Sequence, residues 1–243
     1  MLIVIPAWVY LGFTTAELLV QAIIWLLVST GVPLASINQS VLSALAAALL
    51  YVTTILIVIG LPWLIKKQRT TRADVALENL PTWTDILLAP AGLVIYLVLL
   101  SLLLFLATKL FPGFIVSQAQ DTGFTHLSHQ YEYILAFLTL VIIAPAAEEL
   151  LFRGYLLGKL GKYAPIWISV LLTSVLFGYL HLGVGPQYAW ALAIDTFALS
   201  LVLCSLRLVT GHLWSPMLLH MLKNGIAFFI IFINPLLSHT LGG

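Results

Sequence analysis

Seven long apolar stretches follow one another along this chain: Leu2–Val28, Val41–Ile65, Leu87–Leu110, Tyr131–Leu157, Trp167–Leu182, Tyr188–Leu208 and Ser215–Ile233. A helix needs about 20 apolar residues to cross the hydrocarbon core of a bilayer, and within one helix every backbone polar group finds its partner without water. The pattern predicts an all-α fold, a polytopic transmembrane helix bundle of about seven to eight membrane helices. The segment Val75–Leu88 supplies the eighth, as an interfacial helix. Of the 243 residues 62% are hydrophobic and only 8% charged, against about 25% charged in soluble domains. A water-soluble surface cannot be built from that supply, and disorder is excluded because disordered chains are charge-rich. The net charge of +1 argues against nucleic acid as a partner; the lipid bilayer is the partner this composition demands. Cys204 is the one cysteine, so neither an intrachain disulfide nor a cysteine-based zinc site can form.

Charge sets the orientation. Lys66, Lys67, Arg69 and Arg72 crowd the connection between the second and third stretches, which the positive-inside rule places in the cytoplasm. Alternating spans then bring Lys159, Lys162 and Arg207 to the same side. Trp63, Trp83, Trp167, Trp190 and Trp214 stand near span ends, where indoles favour the headgroup layer. The N-terminus has no basic residue and its apolar run is too long for a signal peptide, so it reads as a first span. The expected setting is a cell membrane, multi-pass, in a prokaryotic plasma membrane. Residues 1–130 carry no motif; the chemistry concentrates in 131–233, within the same bundle.

The informative residues are those lipid should exclude. One Asp, Lys or Arg at a span centre costs about 2.5–3.5 kcal/mol on insertion scales. The fourth stretch nevertheless reads Pro145-Ala-Ala-Glu148-Glu149-Leu-Leu-Phe-Arg153. Glu149 and Arg153 are four apart with the acid first, the favourable order for a helical ion pair, and a purely structural pair would look the same. Glu148 points about 100° away. The second acid is what a structural pair leaves unexplained: one carboxylate held ionised by the arginine, beside another free to take protons, is the profile of a general base. Pro145 cannot donate its backbone bond and should loosen the helix beside it.

Two further spans carry matching groups. Phe177 and His181 share a face of the fifth, where Gly178 allows a neighbouring helix to come close, and His220 and Asn224 share a face of the seventh. Taken singly, His181 reads sooner as an interfacial or satisfied histidine, and the His220–Asn224 pair equally well as interhelical hydrogen bonding. Counting at 1.5 Å per residue from the inner surface puts Glu148 roughly 16 Å, His181 roughly 22 Å and His220 roughly 14 Å deep, all inside the core. A carboxylate, two imidazoles and a carboxamide in one buried layer suit attack of water on an amide. No His-Glu-x-x-His, Gly-x-Ser-x-Gly or Gly-x-Gly-Asp occurs, so zinc-helix, serine and aspartyl protease patterns are missing.

Glu148-Glu149-x-x-x-Arg153, Phe177-x-x-x-His181 and His220-x-x-x-Asn224, in that order, resemble the three motifs of the CPBP family. These are CAAX-processing and bacteriocin-processing or immunity membrane endopeptidases, also known as Abi or type II CAAX prenyl endopeptidases. The resemblance covers about Tyr131–Ile233. It implies a water-filled cavity with Glu148 as catalytic base, His181 positioning the water, Glu149 and Arg153 as the supporting pair, and His220 with Asn224 as the oxyanion site. It also implies a membrane-associated peptide or prenylated protein as substrate, and a mechanism without a cofactor. A zinc site on Glu148, His181 and His220 is the open alternative. Two other functions compete: a non-catalytic membrane binder conferring bacteriocin immunity, and a small transporter using the acids as a proton relay, against which the absence of an internal repeat argues.

Overall fold

A computed structural model describes residues 1–116, 122–125, 127–183 and 189–235. Six of its helices are long and apolar enough to cross a membrane: α1 Val4–Ser29, α2 Gln39–Lys66, α3 Trp83–Leu110, α4 Gln130–Leu160, α6 Trp190–Thr210 and α7 Trp214–Ile233. Between them lies a shorter apolar helix, α5 Ile166–Leu180. The protein is a polytopic helical membrane protein, as the apolar stretches predict, and no strand forms among the described residues. Tyr188, the expected start of the sixth span, lies outside the described residues.

The largest departure from expectation is at Val75–Leu88. No interfacial helix forms there; turns run to Ala76, extended chain follows, and α3 begins at Trp83. The physical reason is a capping box. Thr82 donates from its backbone N–H (2.8 Å) and its hydroxyl (2.6 Å) to the Asp85 carboxylate, so helix starts here, four residues before the apolar run does.

The chain divides into two compact units. The first comprises Met1–Tyr10, Thr70–Gln120 and Glu148–His220. Here α6 packs between α3 and α5, and its core gathers Tyr96, Leu199, Leu203, Leu206 and Leu219. Gly178 makes the α5–α6 contact possible: a Cβ there would stand 2.8 Å from the Ala193 carbonyl oxygen, the close backbone approach that small residues allow in membranes. The second unit comprises Leu11–Arg69, Asp121–Ala147 and Met221–Gly243. In it α2 packs on the first turns of α4, and Phe124, Ala136, Val141 and Phe228 form the core. Asn38 donates to Glu132, which also accepts the His129 N–H at 2.8 Å and so caps α4.

Both units are apolar outside and polar within, as lipid requires. Trp25, Val98 and Phe105 are exposed, whereas Asp85, Glu149, Arg153, Thr173, Ser174 and Ser200 are fully buried. Several span hydroxyls satisfy themselves on their own helix, Thr54 on the Leu50 carbonyl and Thr210 on that of Leu206, each at 2.8 Å.

At the end carrying the basic residues, the segment before α3 fastens the starts and ends of other helices. Leu213 N–H donates to the Ala76 carbonyl (3.0 Å) and the Trp214 indole to that of Asn79 (2.6 Å). Buried Asp85 accepts the Ser215 hydroxyl at 2.6 Å, and His212 Nδ1 stands 3.1 Å from the same oxygen. Gly154 and Gly158 let the 74–75 backbone lie on the end of α4. The starting point of α7 is therefore set by the residues around Asp85, and α7 carries His220.

Two outcomes follow. Gly178→Ala should lower stability by about 1–3 kcal/mol, the usual range for overpacking, read as a drop in the unfolding midpoint in detergent. Asp74 accepts from the Thr71 N–H (3.0 Å) and hydroxyl (2.8 Å) and faces Lys162 at 3.4 Å; the Thr71 bonds hold its carboxyl down at about 2, from an ordinary 3.8. A depressed carboxylate stabilises above its unfolded value and loses that contribution as pH falls. Asp74→Asn should therefore loosen the 71–77 segment at pH 5, with the difference from the unaltered chain vanishing between pH 4 and 2, measured by hydrogen exchange at Thr71.

Candidate active site

The π-helical turns of α4 shape the site before any side chain does. Two interrupt it, Leu138–Ile143 and Leu150–Leu156, on either side of Ala144–Glu149. Such wider turns free carbonyls and accompany functional sites. In the first, the Ala144 N–H reaches back to Thr139 rather than Leu140. The next partner the wider register would offer Leu140 is residue 145, a proline with no N–H. The Leu140 carbonyl is thus left over by the helix, and Asn224 of α7 donates its amide to it at 2.9 Å.

In the first unit α4 presents Glu148, Glu149 and Arg153. The Arg153 Nη1 donates to Glu149 Oε1 at 2.9 Å, both side chains being fully buried. His220 Nδ1 comes to the same oxygen at 2.8 Å. A carboxylate can only accept here, so Nδ1 is the donor and carries a proton. That orientation turns Nε2 toward Glu148, whose Oε2 lies 3.9 Å away. Glu149 is sealed, while the Glu148 side chain keeps 12% of its surface accessible. The two acids that sequence distinguishes by rotation about the helix are distinguished in space by environment as well.

Phe177 of α5 is the hub on the other side. Its buried ring lies 4.5 Å from the Arg153 guanidinium carbon, an arrangement that stabilises a desolvated cation. The same ring meets Phe152 edge-on at 4.8 Å, His181 at 4.7 Å and His220 at 6.0 Å. His181 follows the last turn of α5, and its Nδ1 is 2.7 Å from the Phe177 carbonyl. A carbonyl cannot donate, so Nδ1 again holds the proton and Nε2 is left to accept one in the neutral ring.

Glu148, Glu149, Arg153, His181 and His220 are therefore gathered about Phe177 and one shared carboxylate oxygen. Asn224 lies one turn beyond His220 along α7, in the second unit, with its amide on Leu140. Among the described residues no three His, Cys, Asp or Glu side chains stand close enough together to hold a metal ion. Glu148, His181 and His220 are not such a group in this arrangement. Sequence reasoning did not see Phe177 as the hub, nor Asp85, Ser215 and His212 as the fastening of α7. The first had a signal, its four-residue spacing from His181; the second had the Thr82-x-x-Asp85 capping pattern.

Residues 130–226 match the family model described as Rce1-like, type II CAAX prenyl endopeptidase Rce1-like. The motif resemblance and this match fall on the same part of the chain. Two curated relatives match as well. One is an "Uncharacterized 24.3 kDa protein" of Escherichia coli, 38% identical over 93 residues, covering 37% of this chain and 41% of that one. The other is "UPF0177 protein YxdF" of Lactococcus lactis subsp. lactis, 35% identical over 78 residues, covering 32% and 40%. The chain spans about two fifths of the length of the curated relatives it matches. No solved structure matches.

Truncating one member of a buried ion pair strands the other charge and costs about 3–5 kcal/mol. Arg153→Ala should therefore reduce the unfolding free energy of the purified protein by about that amount. Arg153→Met combined with Glu149→Gln should recover part of it, because no bare charge then remains.

Proposed function

We propose that this protein, with residues 130–226 matching the CAAX-type endopeptidase family, is an intramembrane endopeptidase that hydrolyses a peptide bond by a water activated at Glu148. The observation that carries the reading is His220 held between two carboxylates, Nδ1 on Glu149 and Nε2 facing Glu148.

With Nδ1 donating to Glu149, His220 can donate from Nε2 only as an imidazolium. Two carboxylates, the guanidinium and an imidazolium sum to zero charge, and the reaction is assigned to start from this state. In that state Glu148 is ionised and ready to take a proton. A water bound beside Glu148 gives it a proton while its oxygen attacks the substrate carbonyl carbon, and His181 Nε2 orients that water by accepting its other hydrogen. Charge then develops on the carbonyl oxygen, where a donor is worth about 2.7–4 kcal/mol; Nε2 of His220 supplies one. Asn224 is assigned as a second donor on its motif position alone. As the tetrahedral intermediate collapses, the carbon–nitrogen bond breaks and Glu148 returns its proton to the departing amine. The expected substrate is a membrane-associated peptide or prenylated protein, reached from the lipid side of a bundle in a prokaryotic plasma membrane.

The test uses the full chain in liposomes with a quenched fluorescent peptide ending in a farnesylated CAAX sequence, beside its unprenylated twin. Glu148→Ala and His220→Ala should each lose about 10²–10⁴-fold in turnover, the range for removal of a general acid or base. Asn224→Ala should lose about 10²–10³-fold. Undiminished cleavage in both Glu148→Ala and His220→Ala would refute the mechanism.

A further inference from the structure

The chain turns back sharply as it leaves α2. Helix ends at Lys66, and Lys67 takes the left-handed conformation at φ 55°, its N–H returning to the Pro62 carbonyl. The Gln68 N–H points to the same oxygen at 3.4 Å. After this reversal the Arg69 guanidinium carbon lies over the Trp63 ring, 5.7 Å from its centre. Trp63 and Lys66 are three apart on α2 and so share a face. An indole thus has a lysine one turn beyond it and an arginine folded over it, with a second lysine at the turn between.

All four side chains are exposed. Among the described residues no carboxylate pairs with Lys66, Lys67 or Arg69. The next acid along the chain, Asp74, is bonded by Thr71 and faces Lys162. Leu64 and Ile65, beside the cluster on α2, are exposed as well. Glycine is the usual residue where a helix ends in a left-handed turn, because a Cβ is disfavoured there. A lysine at that position keeps a charge beside Arg69 at a conformational cost.

We propose that Trp63, Lys66, Lys67 and Arg69 form a binding site for the headgroup of an anionic phospholipid, in the leaflet at that end of α2. Charge complementarity names the occupant: three cations without a carboxylate match a phosphodiester, and a guanidinium suits phosphate oxygens best. Depth fits too, since an indole beside a span end belongs at the headgroup layer, where Leu64 and Ile65 meet acyl chains. Basic clusters directly beside a span recognise anionic lipid. A zwitterionic headgroup brings its own cation and is attracted less. The site is independent of the hydrolytic reading.

Native mass spectrometry of the full chain in detergent micelles tests it by reading the affinity of the first lipid bound. Phosphatidylglycerol and phosphatidylcholine of equal chain length are titrated separately. Phosphatidylglycerol should bind at least about fivefold more tightly, the factor that one basic residue beside an anionic surface supplies. Arg69→Gln and Lys66→Gln should each weaken phosphatidylglycerol by about that factor and leave phosphatidylcholine unchanged. Lys67→Gly should do the same while keeping the turn, because glycine takes positive φ freely. The control is Lys109→Gln on α3, which removes a cation from over the Phe105 ring, also at 5.7 Å, and should change neither affinity. If Lys109→Gln costs as much as Arg69→Gln, or the three cluster variants bind like the unaltered chain, net charge alone draws the lipid and the proposal fails. It fails equally if inorganic phosphate at the lipid's concentration displaces phosphatidylglycerol, for the site would then take the free anion.

Discussion

One carboxylate oxygen organises this protein. Glu149 Oε1 receives Arg153 from its own helix and His220 from α7. Without the arginine, a carboxylate with no accessible surface would be an uncompensated charge in lipid; without the carboxylate, the guanidinium under Phe177 would be one. Each side chain makes the other tolerable. Around them stand a fully buried phenylalanine on the cation, a widened turn that begins directly after Glu149, and a histidine whose Nδ1–H is held by the carboxylate.

The rest of the first unit reads as support for that contact. Gly178 brings α5 close to α6, and Phe177 beside it covers Arg153. At the basic end, Asp85 gathers Ser215 and His212 and begins α3 through Thr82, so that one buried carboxylate starts α3 and fixes where α7 starts. His220 lies about one and a half turns further along α7. The second unit has its own version of the device in Glu132, which caps α4 and accepts from Asn38. Among the described residues the buried acids, Asp85, Glu132 and Glu149, are helix-end or helix-pairing groups. Glu148, partly accessible, stands apart from them, and for that reason it is the acid to which chemistry is assigned.

The apolar stretches alone determined the fold class and the approximate limits of the seven apolar helices among the described residues, because lipid leaves a chain so little choice: a segment without charge must be helical and must be long enough to cross. Composition excluded the soluble alternatives for the same reason. The pairing of Glu149 with Arg153 was legible too, since a four-residue spacing fixes which side chains meet within one helix. So was the close approach at Gly178. Depth counting placed Glu148, His181 and His220 at comparable levels, but level is only one coordinate.

Tertiary structure decided the other two. Which imidazole meets which carboxylate, that Phe177 is central, and that His212 belongs to Asp85 rather than to the site all depend on how separate helices are rotated about their axes, and helical spacing does not carry that information between helices. The failed expectation at Val75–Leu88 has the same root. Its hydrophobic pattern was consistent with a helix, but the Thr82–Asp85 capping box starts helix only at Trp83, and before it the carbonyls of Ala76 and Asn79 face Leu213 and Trp214. The Leu140 carbonyl shows both sources at once: Pro145, plain in the sequence, removed its partner, and only the packed fold supplied Asn224 in place of it.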